Sequence, residues 1–142
     1  MLYVNQVYIE EMIMLSLQNV MRANAISCVA FGGLFALQPS LVATYLGGAS
    51  PAPQLYILIL GILLIVNGLH LLWASRTPLA KKELILYFST GDYIWVIASV
   101  GLMVSGVWIT TTGGVLVASA VAVMVGLFGI LQMTSRKAMG HC

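Results

Sequence analysis

The six basic and four acidic side chains of this 142-residue chain are placed so unevenly that the fold class follows from their positions. Four apolar stretches, at about 23–37, 55–73, 84–107 and 114–133, run between them. If each stretch crosses a bilayer, Arg22, Arg76, Lys81, Lys82, Arg136 and Lys137 gather on one side, together with Glu10, Glu11, Glu83 and Asp92. The segments that emerge opposite, 38–54 and 108–113, carry no charge. Lys and Arg are retained on the cytoplasmic side during insertion. The expected fold is therefore all-α and polytopic, a four-transmembrane-helix bundle in a cell's inner membrane with both termini cytoplasmic.

Composition supports lipid as the surrounding medium. The chain is 61% apolar and 7% charged, against about 45–50% and about 25% in soluble domains. A soluble fold of this size leaves too much of its surface exposed to hide so many apolar side chains, so the lipid bilayer is the expected partner. The net charge of +2 belongs to the charged rim and suits anionic headgroups; it is not a nucleic-acid signal. The two cysteines, Cys28 and Cys142, do not make a disulfide framework, and the His141–Cys142 ending reads as a plain tail.

Three parts are expected along the chain: residues 1–20, a membrane domain at 21–137 and a cytoplasmic tail at 138–142. In the first part Glu10 and Glu11 are the sole charges, whereas interfacial helices normally carry a basic face. It reads as a short surface helix, or as a segment preceding a true start at Met21, and as dispensable to the bundle. Proline suits the first turn of a helix and glycine the position past its end. Pro39 and Gly47-Gly48 therefore predict a short helix on the outer interface after span one. The outer turn at 110–113 reads as too short to carry a site. Small residues recur every four positions at Gly114, Ala118, Ala122 and Gly126, and again at Cys28, Gly32 and Ala36; such ridges allow helix backbones to approach closely in lipid.

Function has to reside in the polar groups within the spans. Asn24, Asn67, His70, Asp92 and Gln132 all fall in the cytoplasmic half at comparable depth, so four helices contribute to one layer. An aspartate there is expensive and should have a partner, for which Arg22 and His70 are the candidates. Trp95, one turn past Asp92, lies too deep for an interfacial belt and is expected to pack inside with its indole N–H seeking an acceptor. For Asn24, Asn67 and Gln132 taken singly, plain interhelical hydrogen bonding is the stronger reading. His70 alone does not make the axial pair that haem b usually needs, and a His70–Asp92 pair falls short of a zinc site. No phosphate loop, nucleophile elbow or Cys-x-x-Cys pair is present. No catalytic residue, metal or cofactor is therefore assigned, although a quinone or lipid is compatible.

From Arg22 through Gly32-Gly33, Pro39 and Gly47, and again at Asn67–His70 and Gly91–Trp95, the chain resembles small bacterial four-helix membrane proteins of uncharacterised function, the DoxX-like group. The resemblance covers about 21–136. It implies an accessory role in redox or quinone-associated complexes. The residues themselves lead to the expectation of a non-enzymatic membrane protein that binds an amphipathic small molecule or lipid in the cytoplasmic-leaflet polar cluster, or serves as an accessory subunit. A homodimer or a larger membrane complex is compatible with this. The alternatives are a proton-coupled small transporter using Asp92 and a redox subunit using His70.

Overall fold

A computed structural model describes residues 2–76 and 82–139. The hairpin expected around Lys81 lies partly outside the described residues, at 77–81, and so does the end of the tail with His141 and Cys142. Among the described residues there are five helices and no strand: α1 (Leu2–Leu37), α2 (Pro39–Gly47), α3 (Gln54–Arg76), α4 (Lys82–Ser105) and α5 (Thr112–Met139). All but α2 are long and apolar enough to cross a membrane. The helices form a four-helix bundle with a charged end, where α3 finishes and α4 begins, and a neutral end carrying α2.

Residues 1–20 differ from the sequence expectation of a separate short helix. No glycine occurs before Gly32 and no proline before Pro39, so nothing breaks the helix, and α1 runs for 36 residues. At 1.5 Å per residue that is about 54 Å, well beyond the roughly 30 Å of a hydrocarbon layer. The helix does not leave the bundle at Met21. Leu17 and Met21 are each 1% exposed and pack with Ala25, Leu71, Ala74, Ile85 and Phe88 in one apolar cluster at the charged end. Upstream of Leu17 the apolar residues Tyr8, Met12 and Leu15 are exposed.

Close backbone approach fixes α1 on α3. A Cβ added at Gly61 would lie 2.7 Å from the Ala36 nitrogen and 2.8 Å from the Gly32 carbonyl oxygen, and one added at Gly68 would lie 2.9 Å from the Ala25 carbonyl oxygen. The ridge Cys28–Gly32–Ala36 is thus the α1 side of this contact. Its α3 side is Gly61 and Gly68, seven residues apart. On α5 the ridge splits by height. Gly114 abuts the Leu46 carbonyl of α2, while a Cβ at Gly126 would reach Val96 of α4 at an ordinary 3.5 Å. The tight point on α4 is Gly129, where an added Cβ would lie 3.0 Å from Tyr93 and 3.3 Å from the Asp92 Cβ.

These contacts pair α1 with α3, α4 with α5 and, less extensively, α1 with α5. Among the described residues no comparable backbone approach joins α3 to α4. The two meet through side chains near the charged end, where Leu71 and Ala74 pack with Ile85 and Phe88.

The neutral end is capped. The last carbonyls of a helix need partners, and the 106–111 connection supplies them for α2. Thr110 N–H and Thr111 N–H donate to Leu46 O at 2.9 and 3.2 Å, the Thr110 hydroxyl donates to Gly47 O at 2.7 Å and the Thr111 hydroxyl to Tyr45 O at 2.6 Å. Within that connection Trp108 adopts φ +63°, and Ile109 N–H donates across it to Val107 O at 2.8 Å. A three-residue turn of this hand is rare and strained, the more so at a bulky side chain.

Two expectations about stability follow. Gly61→Ala should destabilise the bundle by about 1–3 kcal/mol, since backbone atoms cannot yield to the new methyl, whereas Gly126→Ala should be near neutral; thermal melts in one detergent compare them. Leu17→Ala should cost about 2–5 kcal/mol, as for other fully buried leucines, and an unchanged melt would show that residues before Met21 contribute nothing to the bundle.

Candidate functional site

Two neighbouring features meet the description of a site: a polar layer across the middle of the bundle and an apolar chamber on its neutral side. Asp92 is central to the first. It is 6% exposed, and its partners are neither His70 nor Arg22. Asn24 Nδ2 on α1 donates to both carboxylate oxygens, at 3.2 Å to Oδ1 and 3.0 Å to Oδ2. Gln132 Nε2 on α5 donates to Oδ2 at 3.2 Å. The chain continues sideways, with Cys28 Sγ donating to Asn24 Oδ1 at 3.6 Å and Asn67 Nδ2 of α3 donating to Cys28 Sγ at 3.6 Å.

One hydrogen-bonded line therefore runs α3–α1–α4–α5 through Asn67, Cys28, Asn24, Asp92 and Gln132. The sequence reading brought Asn24, Asn67, Asp92 and Gln132 to one depth and the structure joins them. Cys28 was the missing link, read from sequence only as a small packing residue. The spacing Asn24–Cys28, one helical turn, places both on one face. Two buried atoms at this level have no hydrogen-bond partner, Ser89 Oγ and Gln132 Oε1.

The proposed Asp92–His70 pair is corrected by the surroundings of the imidazole. His70 lies against Phe88 at 5.1 Å between ring centroids, Trp73 at 5.8 Å and Tyr87 at 6.0 Å. It points to the aromatic cluster near the charged end because α3 presents Asn67, not His70, toward Cys28. Arg22 is exposed on α1 and faces away from the carboxylate. Among the described residues no three His, Cys, Asp or Glu side chains gather as a metal centre would require.

The chamber has a volume of about 470 Å³, inside the range of about 300–1,000 Å³ usual for small-molecule pockets. All five helices contribute. Phe31 and Phe35 come from α1, Val42 and Leu46 from α2, Ile57 and Leu60 from α3, Trp95 and Leu102 from α4, and Val117 and Val121 from α5. Small residues Ala98 and Ser99 on α4 and Ala118 on α5 make the space. Trp108 and Ile109 close it from the cap, with Trp108 set against Tyr56 at 5.7 Å. The roof thus comes from Trp108 and Ile109, just before the 110–113 turn that reads by sequence as too short to carry a site. Trp95 packs inside as expected, but its indole N–H has no acceptor among the described residues. One turn from Asp92, it stands between the polar layer and the chamber.

No family model, curated protein or solved structure matches the chain, so the likeness to the DoxX-like group rests on the residues quoted for it above.

A double-mutant cycle separates the observed partners from the expected one. Asn24→Leu removes two donors and should cost about 1–3 kcal/mol by leaving the carboxylate short of them; combined with Asp92→Leu the losses should be clearly non-additive. His70→Leu combined with Asp92→Leu should be additive. Melts of the variants in one detergent check both, and coupling at His70 in place of Asn24 would overturn the assignment.

Proposed function

We propose that this is a small multi-pass membrane protein that binds one amphipathic or lipid-like molecule in the chamber at its neutral end. The observation that carries the reading is an apolar space of about 470 Å³ walled by every helix and roofed by a strained turn. A void this large forfeits dispersion contacts along its whole lining unless something fills it. Apolar walls with aromatic rings at floor and roof suit a hydrocarbon body. The ligand belongs there and not in the polar layer, where Asn67, Cys28, Asn24, Asp92 and Gln132 already hydrogen-bond in one line and only single buried atoms, Ser89 Oγ and Gln132 Oε1, stay unpartnered among the described residues.

The proposed orientation puts both termini in the cytoplasm of a cell whose inner membrane holds the protein, because every Lys and Arg lies at or beyond the charged end and such residues stay cytoplasmic. The chamber then lies in the outer leaflet and the polar layer on its cytoplasmic side. A second reading, a proton-coupled transporter, is favoured by one observation: Asp92 is buried with amide donors and is in no ion pair among the described residues. An accessory-subunit role in a larger complex is compatible with the exposed apolar residues of α1 upstream of Leu17.

Native mass spectrometry of protein purified from membranes should find one bound small molecule, and Ala118→Phe, which fills the chamber, should release it. Retention of the same mass in Ala118→Phe would place the molecule elsewhere. For orientation, a cysteine introduced as Ser50→Cys should react with an impermeant thiol reagent on intact cells, while Cys142 should react only after the cells are opened; the opposite pattern would invert the topology.

A further inference from the structure

We infer that the molecule in the chamber is an uncharged lipid, one that reaches it from the membrane interior through the seam between α3 and α4. The inference rests on the chamber being a binding site and adds the ligand's class and route. The first observation is charge. No Lys, Arg, His, Asp or Glu lines the chamber, and none occurs in the connections 38–53 and 106–111 that lie over it. An ionised head drawn inside would meet nothing to offset its desolvation, and burial of an unpaired charge in apolar surroundings is strongly unfavourable. A head left at the mouth would find no charged partner there either.

The second observation is the closure of the other sides. α1 lies on α3 through Gly32 and Gly61, where backbones nearly touch, α4 lies on α5 with the Ser119 hydroxyl donating to Met103 Sδ at 3.4 Å beside the chamber, and α1 also packs on α5. On the neutral side α2 is held by Thr110 and Thr111, with Trp108 beneath it. The polar layer seals the way toward the charged end. Among the described residues neither α1 and α4 nor α3 and α4 are brought together by their backbones; α1 is tied to α4 by the Asn24–Asp92 hydrogen bonds, and no such pair of side chains is seen between α3 and α4. The seam continues toward the charged end as a surface groove lined by Asn67, Leu86, Tyr87, Thr90 and Ile94, with Glu83 at the start of α4 as its one charged residue. A molecule arriving by this side comes from hydrocarbon, where an ionised head is already costly.

The available polar groups agree with an uncharged ligand. Tyr56, Trp95, Ser99 and Trp108 line the chamber, and their O–H and N–H groups have no side-chain hydrogen-bond partner among the described residues. They can donate to a neutral oxygen, and no carboxylate, amide or thiol in the lining offers a matching acceptor for an ammonium head. Aromatic faces could attract a quaternary ammonium, so a cationic probe belongs in the test.

Three probes sharing one brominated alkyl chain distinguish the possibilities: a glycerol monoester, a sulfonate and a trimethylammonium compound. Each is titrated into full-length protein stripped of lipid in an uncharged detergent, and tryptophan fluorescence is read, with saturable quenching of Trp95 and Trp108 expected over the non-saturating background of Trp73, which is exposed to the detergent. The glycerol ester should quench saturably with an apparent Kd at least about tenfold lower than either charged probe, a difference of about 1.4 kcal/mol. Equal affinities, or tighter binding of a charged probe, would overturn the ligand class while leaving the chamber as a binding site. Absence of saturable quenching by all three would overturn the binding-site reading and this inference together. For the route, a bifunctional methanethiosulfonate reagent bridging Leu60→Cys and Leu102→Cys across the seam, in a background without the native cysteines, should slow association of the glycerol ester by about tenfold or more, an effect reversed by reduction; unchanged association in the bridged protein would overturn entry at that seam.

Discussion

A carboxylate placed in the middle of an apolar bundle obliges the helices around it to supply donors, and the rest of the structure is arranged about that obligation. Asp92 receives amide N–H groups from Asn24 on α1 and Gln132 on α5. Polar contacts between membrane helices are individually modest, averaging about 0.6 kcal/mol. Their importance here is positional. They fix the relative heights of α1, α4 and α5, and through Cys28 they extend to Asn67 on α3. On the charged side of the layer, Leu17, Met21, Leu71, Ala74, Ile85 and Phe88 fill the interior.

On the neutral side the same four helices enclose a space. The α1·α3 contact is carried by backbone, with Gly32 and Gly61 too close for any side chain between them, so those helices cannot spread. The room comes from small residues on the facing pair, Ala98, Ser99 and Ala118. A cap made of α2 and the Trp108 turn covers the end. A bundle locked on one side of a polar layer and hollow on the other can carry a ligand without its fold depending on that ligand, because its alignment is set in the locked half.

Much of this architecture is legible in the sequence, because membranes impose few choices on a chain. The four helices follow from apolar length and the short α2 from Pro39 and Gly47. Convergence of Asn24, Asn67, Asp92 and Gln132 follows from counting turns from the span ends. Partnership did not follow. Depth along a helix can be counted, but azimuth depends on how neighbours are rotated, and the rotation of α3 is set by Gly61 and Gly68 facing α1. That rotation brings Asn67 toward Cys28 and leaves His70 among Trp73, Tyr87 and Phe88. The continuous α1 was misread because residues 1–20 lack an amphipathic pattern, although Leu17 one turn before Met21 belongs to the same buried face. The chamber has no local signature: its lining comes from every helix and from a turn whose geometry at Trp108 runs against the residue's own preference.

The most direct test compares the two halves of the α3–α4 seam in one protein. Spin-label pairs at exposed positions, Leu69→Cys with Leu86→Cys toward the charged end and Leu55→Cys with Val104→Cys toward the neutral end, are measured by pulsed electron resonance in a background without the native cysteines, before and after stripping of bound lipid. A locked half and a hollow half predict a narrow, unchanged distance at the first pair and a shift or broadening at the second when the chamber loses its occupant. Identical, lipid-independent distances at both pairs would show that the bundle is equally packed throughout and would contradict the account.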